Sequence, residues 1–180
     1  MAVIIAAIGI SGSGKTTAIE TLISQLSRQG YRVSAIKHIH QVGFTIDKEG
    51  TNTWRFSKAG SKITVAISPK EIAVIEKTNA SLKELDKVIK LLEDEKLDII
   101  FIEGFHSFIS KRPEILKIIT AKTPEDLERT LKRIVPPVLA ITGLIGKNKP
   151  QKGRIPYINL PSEEDKLLEL VKNHLVASKK

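Results

Sequence analysis

Residues 3–17 read VIIAAIGISGSGKTT, and this stretch decides the fold. The six apolar residues Val3–Ile8 have the length and composition of a buried strand, and a glycine-rich turn then leads into a helix at Lys15. Glycines allow successive backbone N–H groups to point at one anion, and the start of the helix adds its positive end. Strand, turn and helix together predict a phosphate-binding loop that holds a nucleoside triphosphate.

The loop supplies a defined set of candidate ligands. The predicted nucleotide-binding residues within it are Gly9, Ser11, Gly12, Ser13, Gly14, Lys15, Thr16 and Thr17. Lys15 is expected to reach the β- and γ-phosphates as a point charge and is a predicted catalytic residue. Thr16 is expected to place its hydroxyl on Mg²⁺.

Composition narrows the possible classes of protein. With 180 residues and 41% apolar content, the chain can bury a proper core, and one domain is predicted over residues 1–180. The absence of cysteine excludes disulfides, zinc–thiolate sites and iron–sulfur ligation. A formal charge of +9 favours anionic partners. An aromatic content of only 4% argues against a stacking platform for single-stranded nucleic acid, and because charge alone would support nucleic-acid binding, no nucleic-acid partner is expected. The first apolar run is too short for a signal or membrane helix, so a cytoplasmic location without membrane contact is expected.

Apolar periodicity predicts alternating strands and helices after the loop. Further strands are expected at residues 31–37, 97–102, 114–120, 138–142 and 157–160. Helices are expected over residues 16–29 and 51–58, from the capping box at Ser81, after Thr123-Pro124, and after Ser162 as a cap. Residues 63–77 read as a β-hairpin, inserted near residues 61–78. This order predicts an α/β fold of the P-loop NTPase class: a doubly wound, mostly parallel sheet with helices on both faces.

A second motif is the apolar strand at residues 97–102 that ends in Glu103-Gly104. Ligands gather at the carboxyl ends of parallel strands, so Glu103 is expected to hold Mg²⁺ directly or through water. The alternative is that Glu103 is a solvated strand terminus.

A third group of polar residues follows the second strand and therefore emerges at the same edge. Asp47 is expected to lie over the γ-phosphate as a second metal carboxylate and a catalytic residue, with Lys37 and Arg55 neutralising phosphate charge. His38 and His40 are two positions apart, so their side chains would share one face if the strand continues through them. They can bond to phosphate, tie the structure together or supply two ligands of a transition-metal site that has no evident third ligand.

These segments together resemble MobB, the family of molybdopterin-guanine dinucleotide biosynthesis adapter proteins. The resemblance runs in order over about the first 105 residues and rests on residues 9–17, 36–40, 46–48, 50–55, 58–60 and 102–105. It implies a GTP-binding protein with weak intrinsic GTPase activity that assists the nucleotidyltransferase MobA in attaching GMP to molybdopterin. Molybdopterin itself is then a candidate ligand.

The resemblance has further implications for assembly and for the metal. The resemblance to MobB proteins implies a homodimer in which a β-hairpin pairs across the two subunits. In this chain the hairpin would be residues 63–77. The family is also similar to dethiobiotin synthetase in its core, which implies that Thr16, Asp47 and Glu103 hold Mg²⁺. The chain departs from the family pattern at Gln41 and His106, where histidine and lysine are common.

Guanine selectivity rests on the resemblance rather than on a motif. Residues 148–151 read NKPQ, and Gln151 cannot copy the bidentate contact that the acid of an Asn-Lys-x-Asp motif makes to guanine.

Two other functions stay open. One is a phosphotransferase acting on a small metabolite with Asp47 or His38 as base; the other is a GTP-dependent metallochaperone with His38 and His40 as ligands.

Overall fold

The computed structural model describes residues 2–78, 83–145 and 155–177, without the side chain of Lys83. The chain divides into two compact units, one formed by Met1–His38 with Asp86–Lys180 and the other by Ile39–Leu85. A single domain over residues 1–180 therefore stays a prediction.

Thirteen elements are seen in the described ranges. In chain order they are β1 (Val3–Ile8), α1 (Lys15–Arg28), β2 (Val33–Lys37), α2 (Asn52–Lys58), β3 (Ile63–Ile67), β4 (Ile72–Glu76), α3 (Lys83–Glu93), β5 (Ile99–Glu103), α4 (His106–Ile109), β6 (Leu116–Ala121), α5 (Pro124–Leu131), β7 (Val138–Gly143) and α6 (Glu164–Ala177). Within these ranges, no helix is both long enough and apolar enough to cross a membrane.

The first unit is built on a parallel sheet of five strands in the order β2-β5-β1-β6-β7. The central strands are apolar because both of their faces are covered. Ile118 packs in a core with α1 and α6, whereas its neighbour Ile119 packs in a second core with Leu127 of α5. Successive strand residues point to opposite faces, so helices cover both faces of the sheet as predicted.

Two expectations near the end of the chain are wrong. The strand expected at residues 157–160 is reduced to a single parallel bridge between Ile141 and Tyr157. Pro156 and Pro161 flank this segment and lack the N–H groups that a longer ladder needs. Ser162 does not cap α6 directly, because a turn at residues 160–163 precedes the helix and the Ser162 hydroxyl donates to the carbonyl of Asn159. The capping-box serine at position 81 and the NKPQ segment lie outside the described residues.

β6 contains a lysine that its apolar pattern does not suggest. Lys117 is fully buried, and its ammonium donates to the backbone carbonyl of Arg112 just before the strand. Burial lowers the pKa of Lys117, and the nearby charge of Glu114 opposes that shift only in part. The carbonyl partner makes the burial of a charged group tolerable.

The second unit contains α2 and the predicted hairpin. β3 and β4 pair antiparallel, with Ile67 opposite Ile72 and Val65 opposite Val74. These four side chains and Ile63 share one face of the hairpin, and all five are exposed. Thr51 caps α2 by accepting a hydrogen bond from the Trp54 N–H.

Candidate nucleotide-binding site

The phosphate-binding loop has the backbone that its glycines allow. Gly12 has φ +67° and Gly14 has φ +100°, both in the left-handed region that residues with a side chain rarely adopt. Gly14 stands immediately before α1, and its carbonyl accepts the N–H of Ala18. The loop therefore delivers the start of a fourteen-residue helix to the carboxyl end of β1.

Lys15 lies folded along this loop. Its ammonium donates to the carbonyls of Gly9 at 3.0 Å and Ile10 at 2.7 Å. Partial burial lowers the pKa of Lys15, the charge of Glu103 opposes that shift, and the charges of Lys37 and Lys122 add to it. A lysine held in this way is positioned to bind an anion lying in the loop.

Thr16, Lys37 and Glu103 form one cluster beside the loop. The Thr16 hydroxyl donates to Oε2 of Glu103 at 2.9 Å, and the Lys37 ammonium forms an ion pair with Oε1. Lys37 and Glu103 are direct partners in the register of β2 and β5, which places both at the same edge of the sheet. Burial raises the pKa of Glu103, but the hydrogen bonds from Lys37 and Thr16 and the charges of Lys37 and Lys15 outweigh it and hold that pKa below its usual value. Glu103 is thus an ionised carboxylate near the loop.

These residues line a pocket of about 440 Å³. Its walls are Ser11, Gly12, Gly14, Lys15, Thr16, Thr17, Lys37, Glu103 and Leu144. Most of these residues were predicted to bind the nucleotide or the metal. Leu144, which directly follows β7, was not.

Sequence reasoning also missed the packing beneath the loop. A Cβ at Gly9 would lie 2.1 Å from the carbonyl oxygen of Thr120, and one at Gly143 would lie 2.7 Å from the carbonyl oxygen of Ser13. A glycine directly after an apolar strand, as at position 143, is a sequence signal for such a close approach.

Asp47 and Arg55 belong to the second unit. Asp47 is only 3% exposed, and its carboxylate accepts hydrogen bonds from Thr53 at 2.7 Å, from Lys77 at 3.2 Å and from Ser57 at 3.5 Å. The Thr53 bond is the main reason that the pKa of Asp47 is lowered; burial opposes the shift, and Lys77 and Ser57 add to it. Arg55 is exposed on α2. The roles predicted for both residues at the nucleotide stay predictions.

His38 packs against the turn that follows β5. Its ring stacks on Phe105 with centroids 4.2 Å apart, and its backbone N–H donates to the carbonyl of Glu103. Gly104 has φ +104°, and a Cβ there would lie 2.5 Å from Cβ of His38. His38 therefore ties β2 to β5, the structural tie that was one of its predicted roles. His106 is the first residue of α4, a helix that the sequence analysis did not predict.

Comparison with known proteins places the chain in a family. The family model described as Molybdopterin guanine dinucleotide synthesis protein B matches residues 4–137. The chain belongs to the MobB family. The match includes the phosphate-binding loop, the segment around Asp47 and the Glu103 strand, and it confirms the family that the motifs indicated.

Individual MobB proteins support the assignment. The chain is 34% identical over 133 residues to the molybdopterin-guanine dinucleotide biosynthesis adapter protein of Haemophilus influenzae, which covers 74% of this chain and 70% of that one. It is 35% identical over 119 residues to a putative adapter protein of Methanocaldococcus jannaschii, covering 66% of this chain but only 47% of the relative. The crystal structure of Bacillus subtilis MobB superimposes with a TM-score of 0.70 at 25% identity, covering 93% of this chain and 96% of that one. The predicted α/β fold is confirmed.

Proposed function

We propose that this MobB protein is a GTP-binding adapter in molybdopterin-guanine dinucleotide biosynthesis that assists a MobA-like nucleotidyltransferase. The observation that carries the proposal is the phosphate-binding loop with Thr16 bonded to Glu103 at its rim, in a chain of this family. The curated relatives bear the name of biosynthesis adapter proteins, which supports the adapter role.

The residues at the loop fit a magnesium ion by their chemistry. Mg²⁺ prefers oxygen donors and binds through one or two carboxylates together with substrate phosphates. The Thr16 hydroxyl and the Glu103 carboxylate would hold it, with Asp47 proposed as the second carboxylate. When bound, the ion would neutralise charge on the β- and γ-phosphates. The ammonium of Lys37 forms an ion pair with Glu103, which indicates that this carboxylate favours a cation beside it. When Mg²⁺ takes that place, Lys37 would contact the phosphates instead.

We propose that GTP hydrolysis by this chain is slow. Lys15, Lys37 and Arg55 would stabilise charge on the phosphates, and Asp47 would lie near the γ-phosphate. Glu103, the one carboxylate among the described residues that line the pocket, would be occupied by the metal ion that it holds together with Thr16. That engagement makes it a poor general base for the attacking water, which suits a nucleotide-dependent adapter better than a turnover enzyme.

We further propose a homodimer that pairs through the hairpin. A two-stranded sheet is marginally stable alone, and its exposed apolar face gains most from a partner. The apolar face of β3 and β4 offers five such side chains: Ile63, Val65, Ile67, Ile72 and Val74.

Calorimetry with GTP and ATP, each with and without Mg²⁺, tests the nucleotide. The unaltered chain is expected to bind GTP more tightly than ATP and to need Mg²⁺ for full affinity. Lys15→Ala should weaken binding at least tenfold, whereas Lys111→Ala, which removes an exposed lysine elsewhere in the same unit, should leave it unchanged. Equal affinity for the two nucleotides would remove the guanine claim and favour a phosphotransferase.

A second assay tests the adapter role. With a MobA-like nucleotidyltransferase, molybdopterin and GTP, the unaltered chain should increase formation of the dinucleotide, and Lys15→Ala should not. Efficient GTP hydrolysis by the chain alone, without any effect on the transferase, would contradict the proposal.

A further inference from the structure

Lys122 lies beside the phosphate-binding loop, although no motif points to it. It is the residue directly after β6, and β6 pairs in parallel with β1, so Lys122 stands at the same edge of the sheet as the loop. Its side chain lies across Gly12: a Cβ at Gly12 would be 3.1 Å from Nζ and 3.5 Å from Cε of Lys122. Because Gly12 has no side chain, there is space for the side chain of Lys122 at this position.

Lys122 completes a group of three lysines around the loop. Lys15 donates to loop carbonyls, Lys37 is paired with Glu103, and the Lys122 charge is close enough to Lys15 to contribute to its lowered pKa. Three ammonium groups and one carboxylate leave a surplus of positive charge at one short segment of backbone. Such a surplus is unfavourable in the free protein and becomes favourable when a polyanion lies in the loop.

The position of Lys122 indicates which part of a nucleotide it meets. Glu103 ends β5, on one side of β1, and with Thr16 it would hold the proposed metal ion, which would neutralise charge on the terminal phosphates. Lys122 follows β6, which is on the other side of β1. Leu144, which follows β7 next to β6, lines the same pocket on that flank. A nucleotide whose terminal phosphates lie beside Thr16 and Glu103 would therefore extend toward Lys122.

We propose that Lys122 is a nucleotide-binding residue that contacts the diphosphate part shared by GTP and GDP from the β6 side of the loop. The role rests on the proposed nucleotide-binding function. It differs from the role of Lys15, which serves the terminal phosphates, and it implies that Lys122 sets affinity without distinguishing the triphosphate from the diphosphate.

Titration of the full chain with GTP and with GDP tests this role, using Lys122→Gln, Lys122→Arg and the matched charge-removing variant Lys111→Gln. Because Lys122 would make an exposed charge-assisted contact, Lys122→Gln should weaken the binding of GTP and of GDP by about tenfold each. The ratio of the two affinities should stay unchanged. Lys122→Arg should retain most of the affinity, and Lys111→Gln should match the unaltered chain. Raising the salt concentration should weaken binding less in Lys122→Gln than in the unaltered chain, because one screened contact is missing.

The outcomes separate this proposal from the function on which it rests. If the unaltered chain binds GTP and Lys122→Gln binds it equally well, the role of Lys122 is overturned and the proposed function stands. An equal loss in Lys111→Gln, or a loss confined to GTP, also overturns it, because the effect is then general charge or a γ-phosphate contact. If the unaltered chain binds neither nucleotide, both proposals fall. Thermal unfolding of each variant shows whether a loss of affinity reflects a loss of fold.

Discussion

The hydroxyl groups of Ser13 and Thr120 lie 2.6 Å apart, fully buried beneath the phosphate-binding loop. The Ser13 hydroxyl also donates to the carbonyl of Ile10, so one side chain joins the loop both to itself and to β6. Gly9 passes so close to Thr120 that no larger residue fits. The conformation of the loop is therefore set by the strand next to β1 as well as by its own glycines.

We predict that Thr120→Val loosens the loop. The variant keeps the shape of the side chain and removes the buried contacts of its hydroxyl with Ser13 at 2.6 Å and with the carbonyl of Ile8 at 3.4 Å. This loss should lower the free energy of unfolding by about 1–2 kcal/mol and weaken nucleotide binding by several-fold. Thr142→Val is the matched control, because Thr142 is the register partner of Thr120 on β7 and its buried hydroxyl has no hydrogen-bond partner among the described residues. Denaturant unfolding and GTP titration of both variants check this prediction. Equal losses of stability and of GTP affinity in Thr142→Val and Thr120→Val would contradict it.

Gly143 allows the end of β7 to approach the loop, and Gly143→Ala should prevent this. A Cβ there would lie 2.6 Å from the carbonyl oxygen of Ala121 and 2.7 Å from that of Ser13, both of them backbone atoms that cannot turn away. Gly60 has the same φ of +110° with nothing within 4 Å, so Gly60→Ala reports the conformational strain alone.

We expect Gly60→Ala to cost about 1 kcal/mol and Gly143→Ala at least 2 kcal/mol more, together with most of the nucleotide affinity. Chemical denaturation gives the two stabilities. Equal losses in the two variants would mean that the close approach at Gly143 has no energetic consequence.

The parts of the site that the sequence predicted depend on local rules. The loop follows from glycines at fixed spacing after an apolar run, and the Glu103 strand from a run without polar residues. Each of these two inferences needs only a short stretch of chain. The pairing of Lys37 with Glu103 in the ladder between β2 and β5 joins two distant segments and was not predicted.

What the sequence missed depends on contacts between distant segments. The stacking of His38 on Phe105 and the place of Lys122 across Gly12 each join residues more than sixty positions apart. The burial of Lys117 has the same cause, because no local pattern tells that a carbonyl will meet its ammonium.

Lowering the pH should reduce the contribution that Glu103 makes to the stability of the fold. Its pKa in the folded chain lies below the usual value of about 4.3, so its contribution to stability is complete above that value and is lost as the pH falls through the lower folded pKa. Glu103→Gln should therefore differ most from the unaltered chain at pH 7 and converge with it in acid. Unfolding free energies between pH 7 and pH 3 check this, with Glu128→Gln, from an exposed ion pair on α5, as the control expected to show little change. A difference that grows as the pH falls would contradict the assignment.

The hairpin predicts a specific dependence of assembly on one side chain. Val65 is in the middle of the exposed apolar face, so Val65→Lys should shift a dimer toward monomer by placing a charge in the interface. Lys70→Glu, in the turn of the same hairpin, alters charge without touching that face and should leave assembly unchanged. Sedimentation velocity at several protein concentrations measures both. A monomeric unaltered chain would refute the proposed dimer.

Asp47 has two proposed roles that a pair of variants can separate. Its carboxylate holds the second unit together through Thr53 and Lys77, and it is also the proposed second carboxylate of the metal. Asp47→Asn removes the charge needed for both roles, whereas Lys77→Met breaks the ion pair and leaves the carboxylate in place.

Both variants should lower the melting temperature, because each removes one partner of an interaction that is buried on the Asp47 side. Only Asp47→Asn should raise the Mg²⁺ concentration needed for half-maximal GTP binding, since an amide is a weaker ligand for Mg²⁺ than a carboxylate. Without Mg²⁺ the two variants should bind GTP alike. Titrating Mg²⁺ at fixed GTP distinguishes the roles: an equal Mg²⁺ requirement in both variants would mean that Asp47 only stabilises its own unit, and the metal would then rest on Thr16 and Glu103.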